Sequence, residues 1–329
     1  MAWRHTPARG GLNERRHAVK ILLRGLAASA RYGSALLALS ILGGILLPPV
    51  AHALRGAVSV VVVGLTTLVL LRVDIPAAIM HLRRPGRLAA LIGFQLLVCP
   101  VIAWAAVRVF PIDPGIADGV VIFATGATIG AAPAFARMVG LDAELALLSV
   151  LLSTILVPLT APPIAWSLMG VDLAISMGGF AQRLGLVVGL PLVLSLVLRR
   201  LVGAARLAPL GPALDGLVVW LLMAFGFGVM DGVLARLMED PAWILQATLA
   251  AGLVTIGLNL ATVIAVLPFG ATVAATAGMV SGFRNMALYL AVLPVAADKR
   301  VALFFGLYQI PLYLSPLVMR PLYRRLLRV

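Results

Sequence analysis

The sequence predicts an all-α polytopic membrane protein, from its composition and from the pattern of its apolar residues. Of the 329 residues, 62% are hydrophobic and 12% are charged, whereas soluble domains are roughly 45–50% apolar and about 25% charged. The mean hydropathy is +1.09. The apolar residues form runs of about 20, the length that a helix needs to cross a hydrocarbon core of about 30 Å. No alternating strand pattern competes with these runs, and an ordinary cytosolic enzyme is excluded.

Ten runs meet this length criterion, each to within a few residues at either end. Predicted spans 1 to 10 cover 33–54, 56–73, 86–109, 117–137, 143–169, 177–198, 212–233, 241–267, 271–293 and 299–320. Spans 4 and 9 are the least regular, because they are rich in Gly, Ala and Thr. All connections are short, and the expected organisation is a basic arm, two five-helix repeats and a basic tail, at 1–31, 32–170, 171–321 and 322–329.

The basic residues predict the orientation, because Lys and Arg accumulate in cytoplasmic loops. Nineteen of the 26 lie on the side of the two termini, five lie on the opposite side, and Arg183 and Arg284 fall inside spans. We therefore expect both termini inside, in a bacterial plasma (inner) membrane, with the arm against anionic lipid headgroups. This distribution accounts for the net charge of +14 without nucleic acid. We expect no cleaved signal peptide, because the first apolar run has full membrane-span length.

The two halves of the chain share a pattern of amide, Gly-rich break and proline-dense helix. Spans 3 to 5 carry Gln95, then ATGATIGAAPAFAR, then LLSTILVPLTAPP, whereas spans 8 to 10 carry Asn259, then ATAGMVSGFRN, then YQIPLYLSP. Five spans per half give the two copies opposite orientations. Interrupted segments at matching positions of inverted repeats indicate a transporter's binding site, and we expect spans 4 and 9 to be broken. The alternative is that small residues only permit close helix packing.

The candidate site is assigned to these two breaks. Pro133 removes an N–H from span 4 and Gly282 permits unwinding of span 9, so half-helix dipoles would face a ligand. Each hydroxyl nearby is individually explained as well by packing. The candidate substrate and charge site comprises Thr125, Thr128, Pro133, Ser281, Gly282, Arg284 and Asn285.

Arg284 is the strongest single candidate. It lies near the middle of an apolar stretch with no intramembrane Asp or Glu to pair with it, and a charge at that depth costs at least about 2.5–3.5 kcal/mol. We expect it to bind a ligand or balance charge; the alternative is an arginine that donates to carbonyls of the broken helix. Gln95 and Asn259 are candidates for a residual cation or polar site, or for hydrogen bonds between helices.

Enzymatic functions lack the required residues. The four histidines, at positions 5, 17, 52 and 81, lie outside the spans or at their edges. GMVSG, at 278–282, resembles a serine motif, but no buried base accompanies it to activate the hydroxyl. The single cysteine, Cys99, excludes a multi-cysteine metal site. We expect no enzyme, no metal site and no cofactor.

Together these motifs resemble the bile acid:sodium symporter family of ten-helix secondary transporters. The resemblance runs from GILLPPVA (44–51) through LRRPGRL, GFQLLVCP (93–100), the span 4 break and LSTILVP to span 9. The family's helix 9 signature is Glu-x-Gly-x-Gln-Asn, where this chain reads VSGFRN, so Gly282 and Asn285 match. The resemblance implies a panel domain and a core domain in which helices 4 and 9 cross at their unwound centres.

The departures concern residues that, by the resemblance, ligate two sodium ions. These positions are occupied here by Val280, Arg284, Ala132, Pro133, Ala146 and Val150. Only Gln95 matches a sodium ligand of the family. Because a hard cation needs several oxygens and usually a carboxylate, the replacements argue against sodium coupling.

The expected function is sodium-independent transport of a small organic anion by rocking of the core domain. Arg284 would replace the charge that sodium supplies in relatives or would bind the anion directly. The expected partners are membrane lipid and this anion; the sequence specifies neither the anion nor an oligomeric state. Three alternatives stay open: a sodium-coupled anion symporter with one residual site, a metalloid or auxin-type efflux carrier, and a non-transporting membrane sensor or scaffold.

Overall fold

The structure, a computed structural model, describes residues 21–30, 32–71, 85–169, 176–292 and 299–327. Within these ranges the regular structure is helical, apart from one isolated bridge between two residues. The predicted N-terminal arm up to residue 20, and Arg72, Arg83 and Arg84 of the predicted cytoplasmic charge, lie outside the described residues. The all-α part of the predicted fold class is therefore confirmed for the described ranges.

The helices of the first half follow the predicted spans with several breaks. In chain order they are α1 (Ile21–Ala30), α2 (Gly33–Leu46), α3 (Pro48–Arg55), α4 (Val58–Leu71), α5 (Pro85–Gly93), α6 (Cys99–Val109), α7 (Pro114–Thr125), α8 (Ala132–Val139) and α9 (Ala143–Met169). A π-helical turn, Phe94–Val98, joins α5 to α6.

The second half begins with long helices and ends with shorter ones. They are α10 (Met177–Val202), α11 (Gly211–Val229), α12 (Val233–Glu239), α13 (Pro241–Val266), α14 (Ala271–Gly282), α15 (Met286–Val292), α16 (Lys299–Leu307) and α17 (Gln309–Leu327).

Five helices of the described residues are long and apolar enough to cross a membrane, and the number rises to seven if each of two bent helix pairs counts as one span. The five correspond to predicted spans 3, 5, 6, 7 and 8. The chain is thus an integral, multi-pass membrane protein. Two further apolar helices, α7 and α14, are shorter than a bilayer is thick, and both belong to the segments predicted to be broken.

Predicted span 1, residues 33–54, differs from the prediction because it consists of two helices. The helix stops at Leu47, whose φ and ψ are −121° and 67°, and α3 begins at Pro48. Proline disfavours the α conformation in the residue that precedes it, which explains the break. The axis of α3 is then bent by 69° from that of α4.

The helices pack in two groups. In the outer group, α11 packs against α2, α3 and α4, and α10 packs against α4. In the inner group, α14 packs against α13, α7 packs against α6 and α16, and α9 packs against α7, α8 and α14. Helix α15 belongs to the chain segment of the inner group but packs against α4 and α10. The two helix breaks therefore lie inside the inner group, which is joined to the outer group by α15 and by the packing of α9 against α10.

Asp113 holds three helix ends of the inner group together. Its carboxylate caps α7, accepting hydrogen bonds from the Gly115 N–H at 2.9 Å and the Ile116 N–H at 3.3 Å. The same carboxylate accepts a hydrogen bond from Trp243 Nε1 in α13 at 3.1 Å and forms an ion pair with Arg300 in α16 at 3.2 Å. Because α7 leads directly into the first break, this cluster positions one side of it.

Candidate functional site

The breaks in spans 4 and 9 meet and pair with each other. The first lies between α7 and α8 and the second between α14 and α15, and an antiparallel bridge joins Thr128 to Arg284. The Ile129 N–H donates to the Phe283 carbonyl at 2.9 Å, and the Asn285 N–H donates to the Ala127 carbonyl at 2.7 Å. Unwound backbone in an apolar interior needs internal partners, and each break supplies them to the other.

Glycine permits the close approach at this crossover. A Cβ added to Gly126, where α7 ends in extended backbone, would lie 2.6 Å from the mobile end of Met286 and 3.3 Å from the ring of Tyr289. A Cβ on Gly282 would lie 2.6 Å from the Thr255 carbonyl oxygen. Pro133 is in the first turn of α8, where a missing N–H costs nothing. It therefore starts the second half-helix, and the unwinding itself lies upstream of it, at 126–131.

Arg284 lies at the centre of the crossover and is fully buried. Its Nη1 donates to the Gly126 carbonyl at 2.7 Å, and its Nη2 donates to the Gln95 carbonyl at 2.9 Å. Its backbone N–H donates to the Tyr308 hydroxyl at 3.0 Å. Within the described ranges, its Nε has no hydrogen-bond partner and no carboxylate forms an ion pair with it. The guanidinium is thus held by main-chain carbonyls, which is the alternative that the sequence left open beside ligand binding or charge balance.

Gln95 and Thr128 belong to the same hydrogen-bond network. Gln95 Nε2 donates to Thr128 Oγ1, which donates to the Val280 carbonyl at 3.2 Å. The Thr128 N–H donates to Ser153 Oγ on α9 at 3.0 Å. The network joins spans 3, 4, 5 and 9. Ser153 was not among the predicted site residues, although it lies in the LSTILVP motif that contributed to the family resemblance.

The other predicted site residues surround this network. Thr125 Oγ1 lies 2.7 Å from the Tyr289 hydroxyl and fixes the end of α7 to α15. Ser281 is buried in the last turn of α14. Asn285 directly precedes α15, Pro133 lies in the first turn of α8, and both are half-buried. Of the predicted site residues, these two have partly exposed surface.

Asn259 makes a different contact from the one its pairing with Gln95 suggests. Its Nδ2 donates to the hydroxyl of Tyr323, which is buried near the end of α17. Its own backbone and side chain lie against Gly278 and Gly282. Asn259 therefore fastens α13 to α14 and α17 and takes no part in the Arg284 network. Helix α17 itself continues into the predicted tail and ends at Leu327.

The residues present do not fit a sodium ion at the crossover. Arg284 places a cation on two carbonyl oxygens of the crossover. The Gln95 amide oxygen, buried without a hydrogen-bond partner among the described residues, is the one side-chain ligand that still matches the family, and a single oxygen is too few for a hard cation. The other positions expected to ligate sodium carry apolar side chains. No group of three or more His, Cys, Asp or Glu that could hold a metal occurs in the part of the chain that the structure describes.

A groove of about 340 Å³ lies beside span 3, and none of the crossover residues lines it. It runs between α5, the π turn and α9, and its walls include Leu88, Ile92, Leu96 and Leu152. The lining is almost wholly apolar, as expected for a surface that faces lipid.

Two broken helices that pair inside a bundle of membrane-length helices are typical of multi-pass membrane transporters. The sequence pattern of the Sodium Bile acid symporter family matches residues 58–267, and the chain belongs to this family. This confirms the family inferred from the motifs, and the matched region ends before α14. A search among curated proteins found none that matches the chain.

Proposed function

We propose that the protein is a secondary transporter of a small organic anion, that it works by alternating access at the crossover, and that it does not couple transport to sodium. The observation that carries this proposal is the buried position of Arg284, whose guanidinium donates to the Gly126 and Gln95 carbonyls at 2.7 and 2.9 Å. Arginine stays protonated at working pH, so this cation is permanent. It takes the place of the charge that a coupling ion brings to a relative.

The anion binds on the half-buried side of the crossover, beside Asn285 and Pro133. Helix α8 begins there, and the positive end of its dipole favours an anion, although the N–H groups at its start are already bonded within the chain. Arg284 lies behind this surface, with its Nη atoms already engaged. At an effective dielectric constant of 20, a unit charge still attracts an anion about 8 Å away by about 2 kcal/mol. Arg284 therefore acts through its field.

The side that opens is the predicted cytoplasmic side. Pro133 is half-buried, and Ala134 and Arg137, further along α8, are exposed. At the opposite end of the crossover, Ser59 Oγ on α4 donates to the Ala291 carbonyl at 3.0 Å. Arg183 on α10 donates to the Val292 carbonyl at 3.4 Å. We name these two hydrogen bonds the α15 latch.

Alternating access requires the α15 latch to open. Phe180 of α10 also stacks on Tyr289 of α15, with ring centroids 5.8 Å apart. Rocking of the inner group against the outer group separates these contacts and exposes the crossover to the other side. Arg183, the second cation inside a predicted span, thus has a place in the transport cycle.

Ten spans in two inverted five-helix repeats, with both termini inside, complete the proposal. The half-helices α7 with α8 and α14 with α15 each make one broken span, and α16 with α17 makes the last. The pieces of the two broken spans, and α16, are each shorter than a bilayer is thick. The paired interruptions in spans 4 and 9 support the inverted symmetry.

The test is uptake by proteoliposomes. A thermal-shift screen of small organic anions first identifies a ligand, because a ligand that binds only the folded state raises the unfolding temperature. Uptake of that anion is then measured in sodium and in potassium buffer, for the wild type and for Arg284→Ala. We expect equal uptake in the two buffers and loss of uptake in the variant. Collapse of wild-type uptake without sodium, or full uptake by Arg284→Ala, would contradict the proposal.

A further inference from the structure

The π turn at Phe94–Val98 changes which carbonyls of span 3 have a helical partner. The Cys99 N–H donates to the Phe94 carbonyl, five residues back, instead of to the Gln95 carbonyl four residues back, as in an α-helix. Single π turns inside α-helices are frequent at functional sites. This one lies directly beside the crossover.

Pro100 removes the second N–H that could donate a hydrogen bond to the Gln95 carbonyl. In the π pattern the donor to Gln95 would be the N–H of residue 100, and proline has none. Because the Cys99 N–H is bonded to Phe94 and residue 100 has no N–H, the Gln95 carbonyl has no helical donor in this structure. Both Gln95 and Pro100 are buried, and no water replaces a missing donor in a membrane interior.

Arg284 supplies the missing donor. Its Nη2 lies 2.9 Å from the Gln95 carbonyl oxygen. Its Nη1 takes the second acceptor, the Gly126 carbonyl, from the end of α7. Both acceptors come from points where a helix is interrupted. The side chain of Gln95 meanwhile donates to Thr128, so one residue holds the crossover through both its main chain and its side chain.

We propose that Pro100 is a positioning residue for the charge site, since it keeps the Gln95 carbonyl free of helical donors and available to Arg284. With alanine at this position, an N–H returns to the helix. In the π register this N–H donates to the Gln95 carbonyl. It therefore competes with Arg284, and the guanidinium loses one of its two acceptors. The inference rests on the proposed function only in taking Arg284 as the charge that the anion meets.

A pair of substitutions that differ by one N–H tests this role. Pro100→Ala restores the N–H, whereas lactic acid at position 100, introduced by nonsense suppression, gives the same methyl side chain on an ester that has no N–H. We expect Pro100→Ala to lower the unfolding temperature by about 3–6 °C and to lower the apparent affinity for the screened anion about tenfold. The lactic acid variant is expected to remain close to the wild type in both measurements.

Making Pro100→Ala with either Arg or Met at position 284 separates the positioning role of Pro100 from a general effect of proline. In Arg284→Met no guanidinium is present to compete for the Gln95 carbonyl. Pro100→Ala is then expected to leave the unfolding temperature unchanged or to raise it, as loss of a helical proline ordinarily does. Pro191→Ala, at a buried proline within α10, is the matched control and is expected to have the same effect with Arg284 or Met at 284.

The outcomes distinguish the inference from the proposed function. Equal behaviour of the alanine and lactic acid variants, or a difference that persists in Arg284→Met, would overturn the role of Pro100. The unfolding measurements need no substrate and no transport. If they show the coupling while no organic anion is taken up, Pro100 positions Arg284 and the transport proposal alone fails.

Discussion

Arg284 and Gln95 lie 189 residues apart and are joined by a hydrogen bond from Nη2 to a main-chain oxygen, at 2.9 Å. A buried arginine is expensive in a membrane, and the ordinary solution is a carboxylate partner. Here the partners are two main-chain carbonyls, one in the π turn of span 3 and one where α7 ends. The charge is consequently held in place without being neutralised, which is the property that an anion site requires.

Retaining the charge while losing the planar fork should preserve part of the function. Arg284→Lys keeps a cation but cannot match two carbonyls with the same rigid geometry. A hydrogen bond to a charged group contributes about 1.5–3 kcal/mol, so we expect initial uptake to fall about 10- to 100-fold. Arg284→Met, of similar length and uncharged, should lose uptake altogether. Equal rates for Lys and Met would show that the charge is irrelevant.

Restoring the family's helix 9 pattern should introduce a response to sodium. Val280→Glu with Arg284→Gln returns a carboxylate and an amide oxygen to the crossover, where oxygen ligands suit a hard cation. We expect sodium to raise the unfolding temperature of this double variant and not that of the wild type. Val280→Glu alone is the control, because its carboxylate would pair with Arg284. A sodium response in the wild type would contradict this prediction.

Cross-linking the α15 latch should stop transport. In a Cys99→Ala background, Ser59→Cys and Ala291→Cys place thiols on the two sides of a contact that now measures 3.0 Å from Ser59 Oγ to the Ala291 carbonyl. A short thiol cross-linker should abolish uptake, and a cleavable version should allow its recovery after reduction. Each single cysteine variant, treated in the same way, should transport normally. Unchanged uptake by the cross-linked protein would exclude the proposed rocking.

Gly278 should not tolerate a side chain. A Cβ there would lie 2.5 Å from Val263 Cγ2 and 2.7 Å from the Asn259 carbonyl oxygen, so Gly278→Ala must push α14 from α13. Overpacking of this kind costs about 1–3 kcal/mol, measurable as a lower unfolding temperature in detergent. Gly257→Ala, on α13 with open space around it, is the control and should be neutral or slightly stabilising.

Much of the architecture was predictable because the bilayer imposes it. Long apolar runs must become helices that satisfy their own backbone, and the structure has helices at the predicted spans 3, 5, 6, 7 and 8. The interruptions were predictable too, since Gly-rich stretches in otherwise apolar spans are conspicuous. Leu47 was missed because GILLPPVA is apolar throughout, and hydropathy does not register the conformational effect of Pro48 on its neighbour.

The sequence predicted which polar residues lie together better than it predicted their contacts. Gln95, Thr128 and Arg284 were identified from polarity in apolar surroundings, and all three belong to one network. Asn259 had the same sequence signature as Gln95 yet bonds Tyr323 instead. An amide's partner depends on which helix faces it, and residue type carries no such information.

The sequence by itself determined that this chain crosses the membrane many times, that two of its helices are interrupted, and that a cation lies at one interruption. Those properties depend on hydrophobic burial and backbone chemistry, which act locally along the chain. Only the tertiary structure decided that the two interruptions pair and that Arg284 is held by the Gly126 and Gln95 carbonyls. Hydrogen bonds between residues far apart in sequence exist only once the helices have packed, because packing brings donor and acceptor within 3 Å of each other.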